Sequence, residues 1–148
     1  MKANGPPSIN AHLCYKLYST SLKMTQLYKP MLASIGLTYP QYLAMLVLWE
    51  EEGIGMKDLA ERMGLDAGSV TPLINRLETS GYVIRSRNPH DERNRILTLS
   101  REGKELRKKG AEISAQIITE CGINASQAQA LFSNLDVLNH NLGEALED

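Results

Sequence analysis

The fold is decided by residues 56–99, MKDLAERMGLDAGSVTPLINRLETSGYVIRSRNPHDERNRILTL. Met56 to Met63 reads as a short helix stopped by Gly64, Asp66 as the cap of a second helix running to Thr79, and Gly81 as its stop. Val70, Leu73, Ile74 and Leu77 fall at i, i+3, i+4 and i+7. That spacing buries one face and turns Ser69, Thr71, Pro72, Asn75 and Arg76 outward. Pro72 fits poorly inside a helix capped at Asp66, so an irregular start with regular turns from about Ser69 is expected. Residues 82–86 and 95–99 are β-branched or aromatic-rich runs on either side of a long charged tip at 87–94, the pattern of a hairpin.

Helix, tight turn, helix and charge-tipped hairpin together suit DNA. The second helix enters the major groove, and the basic hairpin reaches phosphates or the adjacent minor groove. On that reading Arg76 or Asn75 contacts base edges, Ser69 and Thr71 contact bases or phosphates, and Arg85, Arg87, Arg93 and Arg95 are the hairpin cations. The other reading is a pair of packing helices beside a solvated hairpin.

Upstream, Ser8 is a plausible cap for a helix reaching Leu32 or Ala33 with Ile9, Leu13, Leu17, Met24 and Leu27 at roughly helical spacing, its last turn bent or ended by Pro30. Thr38 with Gln41 forms a capping-box pattern with Pro40 in the first turn, opening a helix to about Glu52 that Gly53 and Gly55 break. Glu50, Glu51 and Glu52 read as a solvated helix end. Downstream, Ser100 caps a helix with Leu106, Ile113, Ile117 and Cys121 on one stripe, ended by Gly122. A last helix starts at Asn124, with Gln127 in the box position and a seam of Leu131, Leu135, Leu138 and Leu142. The seam is either core of one subunit or an assembly surface. Two-fold symmetry is the usual way to offer recognition helices to successive major grooves, which favours a homodimer.

The 148 residues, 43% apolar and 22% charged, suit one cored domain and exclude a disordered or strongly basic chain. The sequence offers no membrane-length apolar run and no secretory apolar stretch, so a soluble, intracellular (cytoplasmic) protein is expected. The net charge of -1 hides an asymmetry: residues 85–109 carry nine bases against four acids, so a local basic patch is available to phosphate. His12, His90 and His140 show no ligand spacing, and neither a metal nor a cofactor is expected.

Two cysteines stand far apart, which fits neither a zinc knuckle nor a C-x-x-C motif. Cys14, between Leu13 and Tyr15, is either a small apolar packing residue or a reactive thiol. An ordinary thiol, with pKa about 8.5, is only a few per cent ionised at neutral pH. Local cations do not help, because Lys16 points elsewhere and the helix start is more than a turn back. Phenols could, and five of the six tyrosines lie between Tyr15 and Tyr42. Tyr18 is one turn from Cys14. Tyr28 is about 21 Å along a straight helix, so any contact that it or Tyr39 makes with such a cysteine is most simply with that of another subunit. The alternative is packing rings with satisfied hydroxyls.

The same residues carry a resemblance. Leu13-Cys14-Tyr15 with Tyr18-Ser19, Leu27-Tyr28-Lys29-Pro30 and Leu37-Thr38-Tyr39-Pro40-Gln41-Tyr42-Leu43 resemble the organic-hydroperoxide-sensing repressors of the MarR family. Leu73, Arg76-Leu77-Glu78, Gly81-Tyr82, Asp91-Glu92-Arg93 and Leu97-Thr98-Leu99 with Gly103 resemble the MarR family at large. The resemblance implies a mainly α winged helix-turn-helix with a small β-hairpin wing, one domain over residues 1–148. Its DNA-binding part would be about 38–100 and its dimerisation helices about 8–35 and 101–148.

It further implies a non-enzymatic repressor that binds double-stranded operator DNA as a homodimer and releases it when an organic hydroperoxide oxidises Cys14. Tyr28 and Tyr39 of the other subunit, with Tyr18, would stabilise the thiolate. Cys121 would resolve the sulfenic acid to a disulfide, although it also reads as closing the Ile113, Ile117 stripe. Asp91 and Arg93 match the wing motif, with Arg93 or Arg95 in the minor groove. A repressor released by a phenolic ligand and a thiol peroxidase are the alternatives.

Overall fold

The computed structural model describes residues 4–147, leaving out the side chains of Glu92 and Arg93. The elements in order are a 3-10 turn at Ile9–Ala11, α1 (Leu13–Ala33), α2 (Tyr39–Glu50), β1 (Ile54–Gly55), α3 (Met56–Met63), α4 (Ala67–Thr79), β2 (Val83–Asn88), β3 (Asp91–Leu99), α5 (Arg101–Cys121) and α6 (Ala125–Glu147). They fall into two compact units divided after Ala115. Among the described residues no helix is long and apolar enough to cross a membrane.

The first unit is built around α2, whose Tyr42, Ala44, Met45 and Leu48 are fully buried. A helix apolar on nearly every side must be covered on every side. Leu32, Ile35, Leu37, Leu59, Val70, Ile74, Leu77, Val83 and Leu97 complete that core. The capping box at Thr38 and Gln41 forms as expected: the Thr38 N–H donates to Gln41 Oε1 at 3.0 Å, and the Gln41 N–H donates to Thr38 Oγ1 at 3.4 Å. Gly64, at φ +69°, ends α3 in the left-handed conformation that disfavours a side chain.

Four expectations are corrected. Ser8 makes no side-chain cap and precedes only the 3-10 turn. α1 itself starts after His12 and continues past Pro30 to Ala33. α4 starts regularly at Ala67 despite Pro72, because the Asp66 carboxylate takes the Ser69 N–H at 2.7 Å and fixes the first turn. The hairpin tip is short, since the strands extend to Asn88 and from Asp91. Pro89 and His90 make the turn, and the His90 N–H donates to Asn88 Oδ1 at 2.9 Å.

Lastly, Ile54 and Gly55 do more than end α2. They pair antiparallel with Leu97 and Ile96, giving a three-stranded sheet in the order β1-β3-β2. Glu52 beside them accepts the Leu99 N–H at 2.7 Å, and Glu50 and Glu51 both pair with Arg62, so this acidic run is exposed but partnered.

The second unit holds the end of α5 and all of α6. Gly122 (φ +65°) closes α5, and Asn124 and Gln127 cap α6 reciprocally at 3.0 and 2.7 Å. No residue of α6 is buried, and Phe132 and Leu146 are 71% and 86% exposed.

Candidate functional site

The outward face of α4 carries Ser69, Thr71, Asn75 and Arg76, all exposed. Thr71 Oγ1 donates to the Ala67 carbonyl at 3.1 Å, so its hydroxyl proton is used within the helix. Alternation along β2 puts Arg85 on the same side as buried Val83, toward α4. Arg85 Nη2 donates to Asn75 Oδ1 at 2.6 Å and lies 3.1 Å from Glu78 Oε1. Arg85 thus straps the root of the hairpin to the helix, and Asn75 keeps its NH2 as the group with which to meet another partner.

The rest of the hairpin is differently arranged. Arg87 stands directly opposite Arg95 in the ladder, and both are exposed. Like charges facing across strands weaken a sheet, so an anion spanning the pair relieves a repulsion present in the free protein. Asp91 Oδ2 accepts from Asn94 Nδ2 at 2.9 Å and fixes the turn side of β3. The side chain of Arg93, the other expected minor-groove cation, lies outside the described residues. A cleft between the start of α3 and the hairpin is lined by Lys57, Asp58, Arg85, Asn88, Asn94 and Arg95, so it gathers three cations and one acid from separate parts of the sequence.

Cys14 is the second residue of α1, in its first turn and not, as expected, more than a turn inside a helix begun near Ser8; it is exposed, and neither it nor Cys121 is in a disulfide. It shares an open groove with Pro7, Ile9, His12, Tyr15 and Tyr18. Tyr28 lies fourteen residues further along the same unbroken helix, about 21 Å by helical rise. Its ring packs on Tyr39 (centroids 4.8 Å apart) and on Tyr42 (5.6 Å). Burial raises the Tyr39 phenol above the ordinary tyrosine range, and neighbouring Tyr42 acts in the same direction. Like any tyrosine at neutral pH, Tyr39 keeps its proton and can donate a hydrogen bond.

One chain thus joins Cys14 to Tyr18, and Tyr28 to Tyr39, as two groups at opposite ends of α1. Cys121, partly exposed, is the last residue of α5.

Sequence reading passed over Tyr42 and Trp49 as site residues. Tyr42 Oη donates to the Gly110 carbonyl at 2.9 Å and bonds Ser114 Oγ, while Trp49 Nε1 donates to the Gly103 carbonyl at 2.9 Å. The available signal was Gly103 and Gly110, seven apart on one face of α5, where small residues admit a close neighbour.

Residues 37–94 match the MarR family. The chain is 38% identical over 130 residues to the organic hydroperoxide resistance transcriptional regulator of Bacillus subtilis (strain 168), spanning 85% of this chain and 88% of that one. It also resembles a solved structure of reduced AbfR bound to DNA, at 30% identity and a TM-score of 0.75, over 88% of this chain and 91% of the other. A structure of disulfide-formed AbfR matches at 30% identity with a TM-score of 0.64, over 92% and 90%. With this likeness spread over nearly its whole length, and with a helix pair and hairpin arranged as described, the chain belongs to the MarR family and is a transcriptional regulator, not an enzyme.

Proposed function

We propose that the chain is a homodimeric repressor whose reduced form holds operator DNA and whose Cys14 senses organic hydroperoxides. The observation that carries this reading is the separation of Cys14, in the first turn of α1, from Tyr28 fourteen residues along the same helix and from Tyr39, which packs on Tyr28 from the start of α2. The thiol and the phenols suited to activate it belong to one site only if two chains meet. Exposed apolar side chains supply surfaces for that meeting: Leu13 and Leu22 on α1, Leu131, Leu135 and Leu142 on α6. On this reading residues 1–148 work as one domain, with α1, α5 and α6 as the dimerisation helices. Likeness to a hydroperoxide-resistance regulator, and to a protein solved both reduced on DNA and with its disulfide formed, supports the same chemistry.

Ser69, Thr71, Asn75 and Arg76 read the major groove. Arg87, Asp91, Arg93 and Arg95 form the contacting part of the wing, with Arg85 holding wing and helix in register. For sensing, the Cys14 thiolate attacks the terminal peroxide oxygen and the O–O bond breaks. The leaving alkoxide takes a proton to become an alcohol, and the sulfur is left as a sulfenic acid. Phenolic O–H groups of the partner's Tyr28 and Tyr39, with Tyr18, stabilise the thiolate before attack. The Cys121 thiol then attacks the sulfenic sulfur, water leaves, and a disulfide forms. Bringing two sulfurs to about 2.05 Å demands movement of the helices that carry them, and that movement releases DNA.

The test is DNA retention by reduced and cumene-hydroperoxide-treated protein, using a duplex selected from random sequence by the reduced protein. Wild type should release on treatment, Cys14→Ser should bind and ignore the peroxide, and Cys121→Ser should accumulate sulfenic acid. Release by Cys14→Ser would overturn the assignment.

A further inference from the structure

Tyr42 and Trp49 are not needed for the thiol chemistry, yet they connect its phenols to α5 without a gap. The ring of Tyr42 is fully buried and packs on Tyr28, while its hydroxyl is anchored on the α5 backbone at Gly110 and on Ser114. Trp49, two turns further along α2, stands edge-on to Tyr42 at 6.2 Å and donates its indole N–H to Gly103. Gly103 is the point at which α5 meets the wing. Its N–H is capped by Ser100 Oγ at 3.0 Å, and Ser100 Oγ in turn donates to the Gly81 carbonyl between α4 and β2. Both glycines leave no clearance: a Cβ would lie 2.5 Å from Trp49 at position 110 and 2.2 Å from the Tyr82 carbonyl oxygen at position 103. Packing this close passes on a displacement instead of absorbing it.

We infer that Tyr42 is a positioning residue for Tyr28 and that, with Trp49, it carries a displacement of Tyr28 into α5 and so to the wing. The ring and the hydroxyl have separable tasks: the ring supports Tyr28, and the hydroxyl ties that support to α5. The inference rests on the proposed placement of Tyr28 at the partner's thiol.

The separation sets the experiment. Wild type, Tyr42→Phe and Cys14→Ser are titrated with cumene hydroperoxide while thiol loss, fluorescence of the single tryptophan and affinity for the selected duplex are followed. Tyr42→Phe should bind DNA when reduced and lose its Cys14 thiol within about threefold of the wild-type rate. Its oxidation-induced loss of affinity should shrink at least tenfold. Trp49 emission should change on oxidation in wild type, not in Cys14→Ser, and much less in Tyr42→Phe. Full release by oxidised Tyr42→Phe, or release by wild type with unchanged Trp49 emission, overturns the inference. Should Tyr42→Phe fail to fold, Trp49 emission that stays unchanged on oxidation of wild type still overturns the inference. Absence of any thiol loss or release in wild type would instead sink the sensing function itself.

Discussion

The carbonyl oxygen of Tyr82 accepts the Ser100 N–H at 3.0 Å and lies 2.2 Å from where a Cβ at Gly103 would stand. The crowding is against main chain, which cannot swing aside. Gly103→Ala should therefore destabilise the protein by about 2–3 kcal/mol, as overpacking of a tight core does. Gly110→Ala meets only the Trp49 ring and should cost less, with part of the loss recovered in a Trp49→Leu background. Urea midpoints at constant m-value check both.

The two arginines of β2 should behave oppositely. Arg85→Ala removes the bonds to Asn75 and Glu78 and should lower stability by about 1 kcal/mol, a typical contribution for a partly exposed charge-assisted contact. Arg87→Ala removes a cation facing Arg95 and should leave stability unchanged or slightly higher. Its cost should appear in DNA affinity, with the log–log salt slope shallower by about 0.9 if it contacts one phosphate. Paired thermal melts and salt titrations separate the two effects.

Hydrogen bonds from Ser69, side chain and backbone, hold the Asp66 carboxyl below the ordinary carboxylate range. A depressed folded-state pKa gives stability that is fully present above the unfolded value and lost as pH falls through the folded one. The cap on α4 should thus hold at neutral pH and weaken in acid, below about pH 4. Asp66→Asn, which still accepts the Ser69 N–H but does not titrate there, should flatten the acid limb of Tm against pH relative to wild type.

A phenol donating to a thiolate makes a hydrogen bond to a charged group, worth about 1.5–3 kcal/mol. Tyr39→Phe and Tyr28→Phe should each slow Cys14 oxidation by roughly tenfold or more while leaving reduced DNA binding in place. Stopped-flow thiol loss measures it. A wild-type rate in both variants would remove the phenols from the site.

The helices were legible because their signals are local. Asp66, Ser100 and Asn124 sit where caps must, and Val70, Ile74 and Leu77 keep the helical period that buries them. β1 was not legible, because Ile54 and Gly55 are too short a run to have a period and pair only with the distant Ile96 and Leu97. The short hairpin turn was hidden by the charges at 87–94, which resemble loop yet sit on paired strands. The division of the tyrosines was visible from helical rise alone. The tie of Tyr42 and Trp49 to α5 was not, since it depends on contacts 54 to 72 residues apart in sequence.

An unbroken α1 also has a genetic consequence. A chain with Cys14→Ser keeps its phenols, and a chain with Tyr28→Phe and Tyr39→Phe keeps its thiol. On the proposed reading the first should not respond alone and the second should respond only slowly. Co-expressed, they should form mixed pairs in which one sensing centre is whole, so two defective alleles restore a fast response that neither gives by itself.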